Sequence, residues 1–92
     1  MIKTFKHKGL KNLFEDDDRR GVQPKHAEKL LDILDRLDAA IDVEDMRYPG
    51  SKLHQLKGNR KNEWSIAVSG NWRVTFEFEN GDAYVIDYED YH

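Results

Sequence analysis

The chain has 92 residues, 36% of them charged and 38% apolar, with a formal net charge of −3 and no cysteine. That suffices for one modest core, and it excludes a disulfide framework, thiolate metal sites and a second domain. Two Trp, four Phe and four Tyr argue against disorder, and without an apolar leader or a membrane-length run the expected setting is soluble and cytoplasmic.

Taken in chain order, residues 1–5 are a candidate edge strand, although so short a run establishes no period. Leu10, Leu13 and Phe14 share one side of a helical wheel and predict a short amphipathic helix from about Lys6, lysines outward. The acidic run 15–18 sits badly at the negative end of a helix dipole, so the helix is expected to stop near Glu15. A polar link containing Gly21 leads to Pro24, which suits a first helical turn. From there Ala27, Leu30, Leu31, Leu34, Leu37 and Ile41 recur at three- and four-residue spacing, predicting a second, longer helix with one apolar stripe. Residues 42–46 suggest a further helical turn, residues 48–51 a break, residues 52–56 a weakly alternating strand, and Gly58-Asn59 a turn.

The last third writes a sheet. Trp64, Ile66 and Val68, and then Trp72, Val74, Phe76 and Phe78, alternate with polar residues, the period of strands with one buried face. Asn80-Gly81 favours a two-residue type I′ hairpin. Closing there sets Phe78 opposite Ala83, Phe76 opposite Val85 and Arg73 opposite Tyr88, so that Arg73 shares a face with Tyr84, Ile86 and Tyr88. For the earlier hairpin, a three-residue loop over 69–71 keeps one face apolar by pairing Val68 with Trp72, Ile66 with Val74 and Trp64 with Phe76. The expected fold class is α+β: a small single domain over residues 1–92, with two N-terminal helices packed on one face of an antiparallel sheet.

The negative net charge hides two positive islands. Residues 1–14 carry Lys3, Lys6, Lys8 and Lys11, and residues 46–62 carry Arg47, Lys52, Lys57, Arg60 and Lys61, neither with an acid. Such runs are commonly solvated faces, and they are also what a polyanion would touch. His7, His26, His54 and His92 show no metal-ligand spacing, and no phosphate loop or nucleophile elbow is present, so neither metal nor cofactor is expected. His7 and His26 read most simply as helix-surface residues.

The remaining side chains suit phosphodiester chemistry. Cleaving RNA through its own 2′-hydroxyl needs a base for that proton, an acid for the departing 5′-oxygen, and cations for the charge growing on phosphate. His54 and His92 offer the side chain that ordinarily changes charge near neutral pH. Arg73 and Lys57 offer the cations, Tyr91 a stacking surface or a proton, and Asp90 a carboxylate to orient a histidine. Each also has a structural reading: a frayed end for Asp90, Tyr91 and His92, a stacking pair for Arg73 and Tyr88, a strand histidine and a loop lysine for the others. Strict alternation sends Arg73, Asp90 and His92 to one face and Tyr91 to the other, so their meeting requires the chain to leave the strand before Tyr91.

Four segments together resemble the HigB toxins of the RelE/ParE superfamily of bacterial toxin–antitoxin systems. They are the opening Met1-Ile-Lys-Thr-Phe-Lys-His-Lys-Gly-Leu-Lys11, the central Leu53-His-Gln-Leu-Lys-Gly-Asn-Arg60, the strand Asn71-Trp-Arg-Val-Thr-Phe76 and the closing Asp87-Tyr-Glu-Asp-Tyr-His92. The resemblance implies a RelE-like fold and a ribosome-dependent endoribonuclease that cuts mRNA in the ribosomal A site without a metal. It also implies a HigA-type helix-turn-helix antitoxin as partner, with no membrane and no direct DNA binding by this chain alone. By position the family's functional set falls on His54, Lys57, Arg73, Asp90, Tyr91 and His92, with the choice of general base open among them. Toxins that dock on ribosomal RNA tend to be basic, whereas this chain is acidic, so docking falls to Lys8, Lys11, Lys57, Arg60 and Lys61 of the two islands. The same fold also hosts ParE-like inhibitors of DNA gyrase with no chemistry of their own, the alternative reading; the paired histidines favour cleavage.

Overall fold

A computed structural model describes residues 1–90, so the candidates Tyr91 and His92 lie outside the described residues. Helix α1 spans Lys8–Asp16 and buries Leu10 and Leu13. His7 is its cap, not a surface residue: Nδ1 accepts the Leu10 backbone N–H at 3.1 Å, filling one donor that the helix leaves unpaired. The helix ends one residue beyond Glu15, where Asp17 turns left-handed (φ 52) and its N–H returns to the Asn12 and Leu13 carbonyls.

Pro24–His26 form a 3₁₀ turn that feeds helix α2, Ala27–Ala39, whose buried stripe is Ala27, Leu30, Ile33, Leu34 and Leu37. Ile41 does not extend that stripe. Ala40 is already extended and Ile41 is 83% exposed, while Ile33 takes the core position that the spacing argument passed over. The 3₁₀ turn Val43–Met46 follows, closed by a capping box between Asp42 and Asp45, and it delivers Met46 to the core.

Strands β1 (His54–Gln55), β2 (Glu63–Ser69), β3 (Trp72–Glu79) and β4 (Asp82–Asp90) form an antiparallel sheet in that order. Residues 2–5 run parallel beside β4 through isolated bridges at Ala83 and Ile86, so the candidate edge strand is present as two bridges and not as a continuous strand. Both helices pack against one face, where Ile66, Val68, Val74, Phe76, Ala83, Ile86 and Tyr88 meet the leucines of α1 and α2. The α+β architecture is the one the alternation and the two amphipathic stripes predict.

Two bulges correct the register. Asn80 and Gly81 both have positive φ (53 and 82), as a type I′ turn requires, and Phe78 faces Ala83 as expected. The pairing then slips by one residue between Thr75 and Glu77, and Val85 sits there in the left-handed region with φ 54. Phe76 therefore does not face Val85, and Arg73 faces Glu89 where Tyr88 was expected; Tyr88 stands opposite Val74 on the core face. Thr4 holds the irregular point, accepting the Val85 N–H at Oγ1 (2.8 Å) and the Ile86 N–H at its carbonyl (3.2 Å). In the β2–β3 hairpin the loop is the two-residue Gly70-Asn71, with Ser69 opposite Trp72 and a bulge at Val68. That bulge absorbs the difference, so Trp64 faces Phe76 and Ile66 faces Val74 as expected.

Candidate functional site

The sheet face turned away from the helices is polar. Directly opposite residues share a face, so Ala67, Arg73 and Glu89 form one row across β2, β3 and β4. The next row is His54, Ser65, Thr75 and Asp87. Ser65 and Thr75 are fully buried floor residues, Arg73 is half-buried, and His54 is exposed at the β1 edge. Two strand spacings and a two-residue step along the strand, about 12 Å in all, separate the His54 and Arg73 backbones, and both side chains belong to this face. His54 Nδ1 lies 3.1 Å from the Lys52 carbonyl oxygen, so Nδ1 is the nitrogen that donates there and Nε2 is the one left to meet a ligand.

The connection from β1 to β2 folds over this face. Lys57 is exposed immediately before the 3₁₀ turn Gly58–Arg60, and Lys61 is exposed just after it. Arg60 reaches back across the sheet: its guanidinium donates to both carboxylate oxygens of Glu63 (3.1 and 2.9 Å) and to both of Glu89 (3.2 and 2.6 Å). The Thr75 hydroxyl donates to the same Glu89 carboxylate at 2.8 Å. Hydrogen bonding from Arg60 is the main cause that holds the Glu89 carboxyl below its usual range, and the two carboxylates raise Arg60 further above its own. Nothing in the residue spacing announces this cluster. Glu63 lies three positions from Arg60, but Glu89 enters only because the Val85 bulge rotates it onto the Arg73 face.

The same bulge separates two candidates. Asp90 stands across from Trp72, which by register puts it on the helix-facing side, whereas simple alternation places it beside Arg73. Residues 3–11 of the first positive island lie beyond β4, and residues 57–61 of the second form the β1–β2 connection, from which Arg60 reaches Glu89 on β4. Lys8 and Lys11 are exposed on α1, and Lys6 lies 4.0 Å from Asp87. A groove of about 540 Å³ between Gln55, Trp64, Glu77 and Tyr84 lies off to the side and includes none of the candidate residues. Among the described residues no group of three or more His, Asp or Glu is placed to hold a metal, and no helix is long and apolar enough to cross a membrane.

The profile of the RelE-like toxins of the type II toxin–antitoxin system HigB matches residues 3–92. The chain belongs to this family. Among curated proteins it is 50% identical to the endoribonuclease HigB of Proteus vulgaris over 92 residues, the whole of both chains. It is also 38% identical over 85 residues, 90% of each chain, to toxin HigB-1 of Vibrio cholerae serotype O1. A type II toxin is made with an antitoxin, so an antitoxin is a partner of this HigB-like chain. What the polar face offers chemically is a cation, Arg73, in a half-buried position where its charge is screened little by water, with a histidine on the same face and a lysine on the overhanging loop.

Proposed function

We propose that this HigB-like toxin is a ribosome-dependent endoribonuclease that cleaves translated mRNA in the A site by attack of the message's own 2′-hydroxyl. The observation that carries the reading is the 50% identity, over the full length of both chains, to a protein named an endoribonuclease. In the reaction the 2′-oxygen loses its proton and bonds to phosphorus, the P–O5′ bond breaks, and the 5′-oxygen takes up a proton. The products are a 2′,3′-cyclic phosphate and a 5′-hydroxyl. Arg73 and Lys57 bind the phosphate and the charge that builds on it; His54 and His92 share proton transfer; Tyr91 stacks on a base or moves a proton; Asp90, which the register turns to the other side of the sheet, is left out of that set. No step calls on a metal. Lys8, Lys11, Lys57 and Lys61 are exposed cations for docking on ribosomal RNA, whereas Arg60 is already matched by Glu63 and Glu89. The partner is a HigA-type helix-turn-helix antitoxin, and the setting is the cytoplasm, where translated mRNA is found.

Expression of the chain without its antitoxin tests this. The expected outcome is arrested growth with translated messages fragmented and chromosomal DNA intact. DNA damage with intact messages points instead to a ParE-like inhibitor of gyrase, and normal growth overturns the toxin reading.

A further inference from the structure

Arg60 and Glu89 are 29 positions apart in sequence, yet their side chains make two hydrogen bonds across the polar face. Arg60 belongs to the loop that carries Lys57, and Glu89 stands directly opposite Arg73 and immediately before Asp90. The contact is built rather than incidental. Both partners of the Arg60–Glu89 pair are part-buried, Glu63 supplies a second fork at 2.9 and 3.1 Å, and the Thr75 hydroxyl fixes the far side of the Glu89 carboxylate. One guanidinium faces two carboxylates, so the Arg60 charge is already matched. A phosphate approaching it would have to displace a carboxylate already held by parallel hydrogen bonds. Arg60 is therefore a poor phosphate anchor and a good brace.

We propose that Arg60 and Glu89, seated by Glu63 and Thr75, are positioning residues that lock the Lys57 loop onto the end of β4. The lock sets the spacing between the loop cation and the Arg73 row before substrate arrives. The inference deepens the proposed cleavage reaction and rests on that reading of Lys57 and Arg73. Preorganisation of this kind acts on the chemical step more than on binding, because misplacing one charge costs transition-state stabilisation while leaving the docking cations untouched.

The test compares the wild type with Arg60→Gln, Glu89→Gln and the double variant. Cleavage of a message on programmed ribosomes gives kcat and KM, titration of ribosomes at several salt concentrations gives the binding slope, and hydrogen exchange gives the protection of the loop amides. Each single variant is expected to lower kcat about tenfold or more with KM within about threefold, and the double variant to be no worse than the poorer single. The salt slope of ribosome binding should not change. The Leu56 and Lys61 amides, which donate to the Glu63 and Gly58 carbonyls, should exchange at least about tenfold faster in Arg60→Gln. Loss of about 0.7 from the salt slope with a raised KM and unchanged kcat would make Arg60 a phosphate contact and overturn the proposal. Unchanged kcat and unchanged exchange would overturn it as well. The exchange arm does not depend on catalysis: if the wild type leaves RNA intact the cleavage reading fails, and accelerated exchange still separates a bracing pair from an idle one.

Discussion

Replacing Tyr88 by Phe removes a single oxygen atom from the interior. Tyr88 is 6% exposed and His26 3% exposed, and the Tyr88 hydroxyl lies 2.6 Å from His26 Nδ1. Burial raises the Tyr88 phenol above its ordinary range, and the nearby Gln23 backbone opposes that shift. The hydroxyl and Nδ1 share one hydrogen bond, and burial disfavours the charged form of the ring. Nε2 has no hydrogen-bond partner among the described residues, which leaves Tyr88 as the anchor of the ring. Deleting the oxygen strands the buried Nδ1, at a cost of about 1–3 kcal/mol. For a domain of this size each kcal/mol moves the midpoint about 4–8 °C, so a fall in Tm of roughly 5–20 °C is expected. Trp72 stacks on Tyr88 with ring centroids 4.5 Å apart, so tryptophan fluorescence in urea reports the transition at the site of the change. A double-mutant cycle with His26→Phe should return a coupling of about 1 kcal/mol. A loss below about 0.3 kcal/mol with an unchanged urea slope would refute the reasoning.

Three other outcomes follow from the fold. Burial first, and then the charges of Lys25 and Lys29, hold His26 below its ordinary value of 6.5. The unfolded chain takes up that proton before the folded one does, so stability is expected to fall as pH drops below about 6.5, by at most about 1.4 kcal/mol per pH unit from this group. Urea titrations from pH 7.5 to 5 should show a shallower slope in His26→Phe, and an identical slope would count against a neutral buried ring. Gly9→Ala should destabilise, although Ala is the better helix former by about 1 kcal/mol. A Cβ on Gly9 would lie 2.5 Å from the Gly21 carbonyl oxygen and 2.9 Å from its carbon, so urea unfolding should register a loss of about 1–3 kcal/mol, and a gain would contradict the close approach. Val85 is β-branched, 40% exposed and at φ 54. Val85→Asn should stabilise by about 0.5–1 kcal/mol, since Asn tolerates the left-handed region, and a loss above about 1 kcal/mol in the same assay would mean that the bulge needs the valine.

Architecture was legible because it follows from period. The leucines of α2, the alternation of β2 and β3, and Asn80-Gly81 each state their local geometry, and the layers follow from burying three apolar faces together. Register beyond the turn was not legible. Val85 is the last residue type expected at positive φ, and the bulge that it occupies moves Tyr88 to the core and Glu89 to the polar face. The earlier hairpin escaped the same fate because its bulge at Val68 compensates a shorter loop. His7 and His26 were unreadable for another reason: a cap and a buried partner are tertiary facts, and neither leaves a pattern in spacing. Of the candidate site, His54 and Arg73 share a face through a β1–β2 register that alternation alone does not give, and the acidic clamp on Arg60 depends on contacts 29 positions apart.

The claim at the centre is that Arg73 serves RNA cleavage, and purified protein with ribosomes programmed by a defined message measures it directly. The wild type is expected to cut within the A-site codon and leave a 2′,3′-cyclic phosphate and a 5′-hydroxyl, and Arg73→Ala to cut about 10²–10³-fold more slowly. An intact message with the wild type, or equal rates for the two proteins, would contradict it.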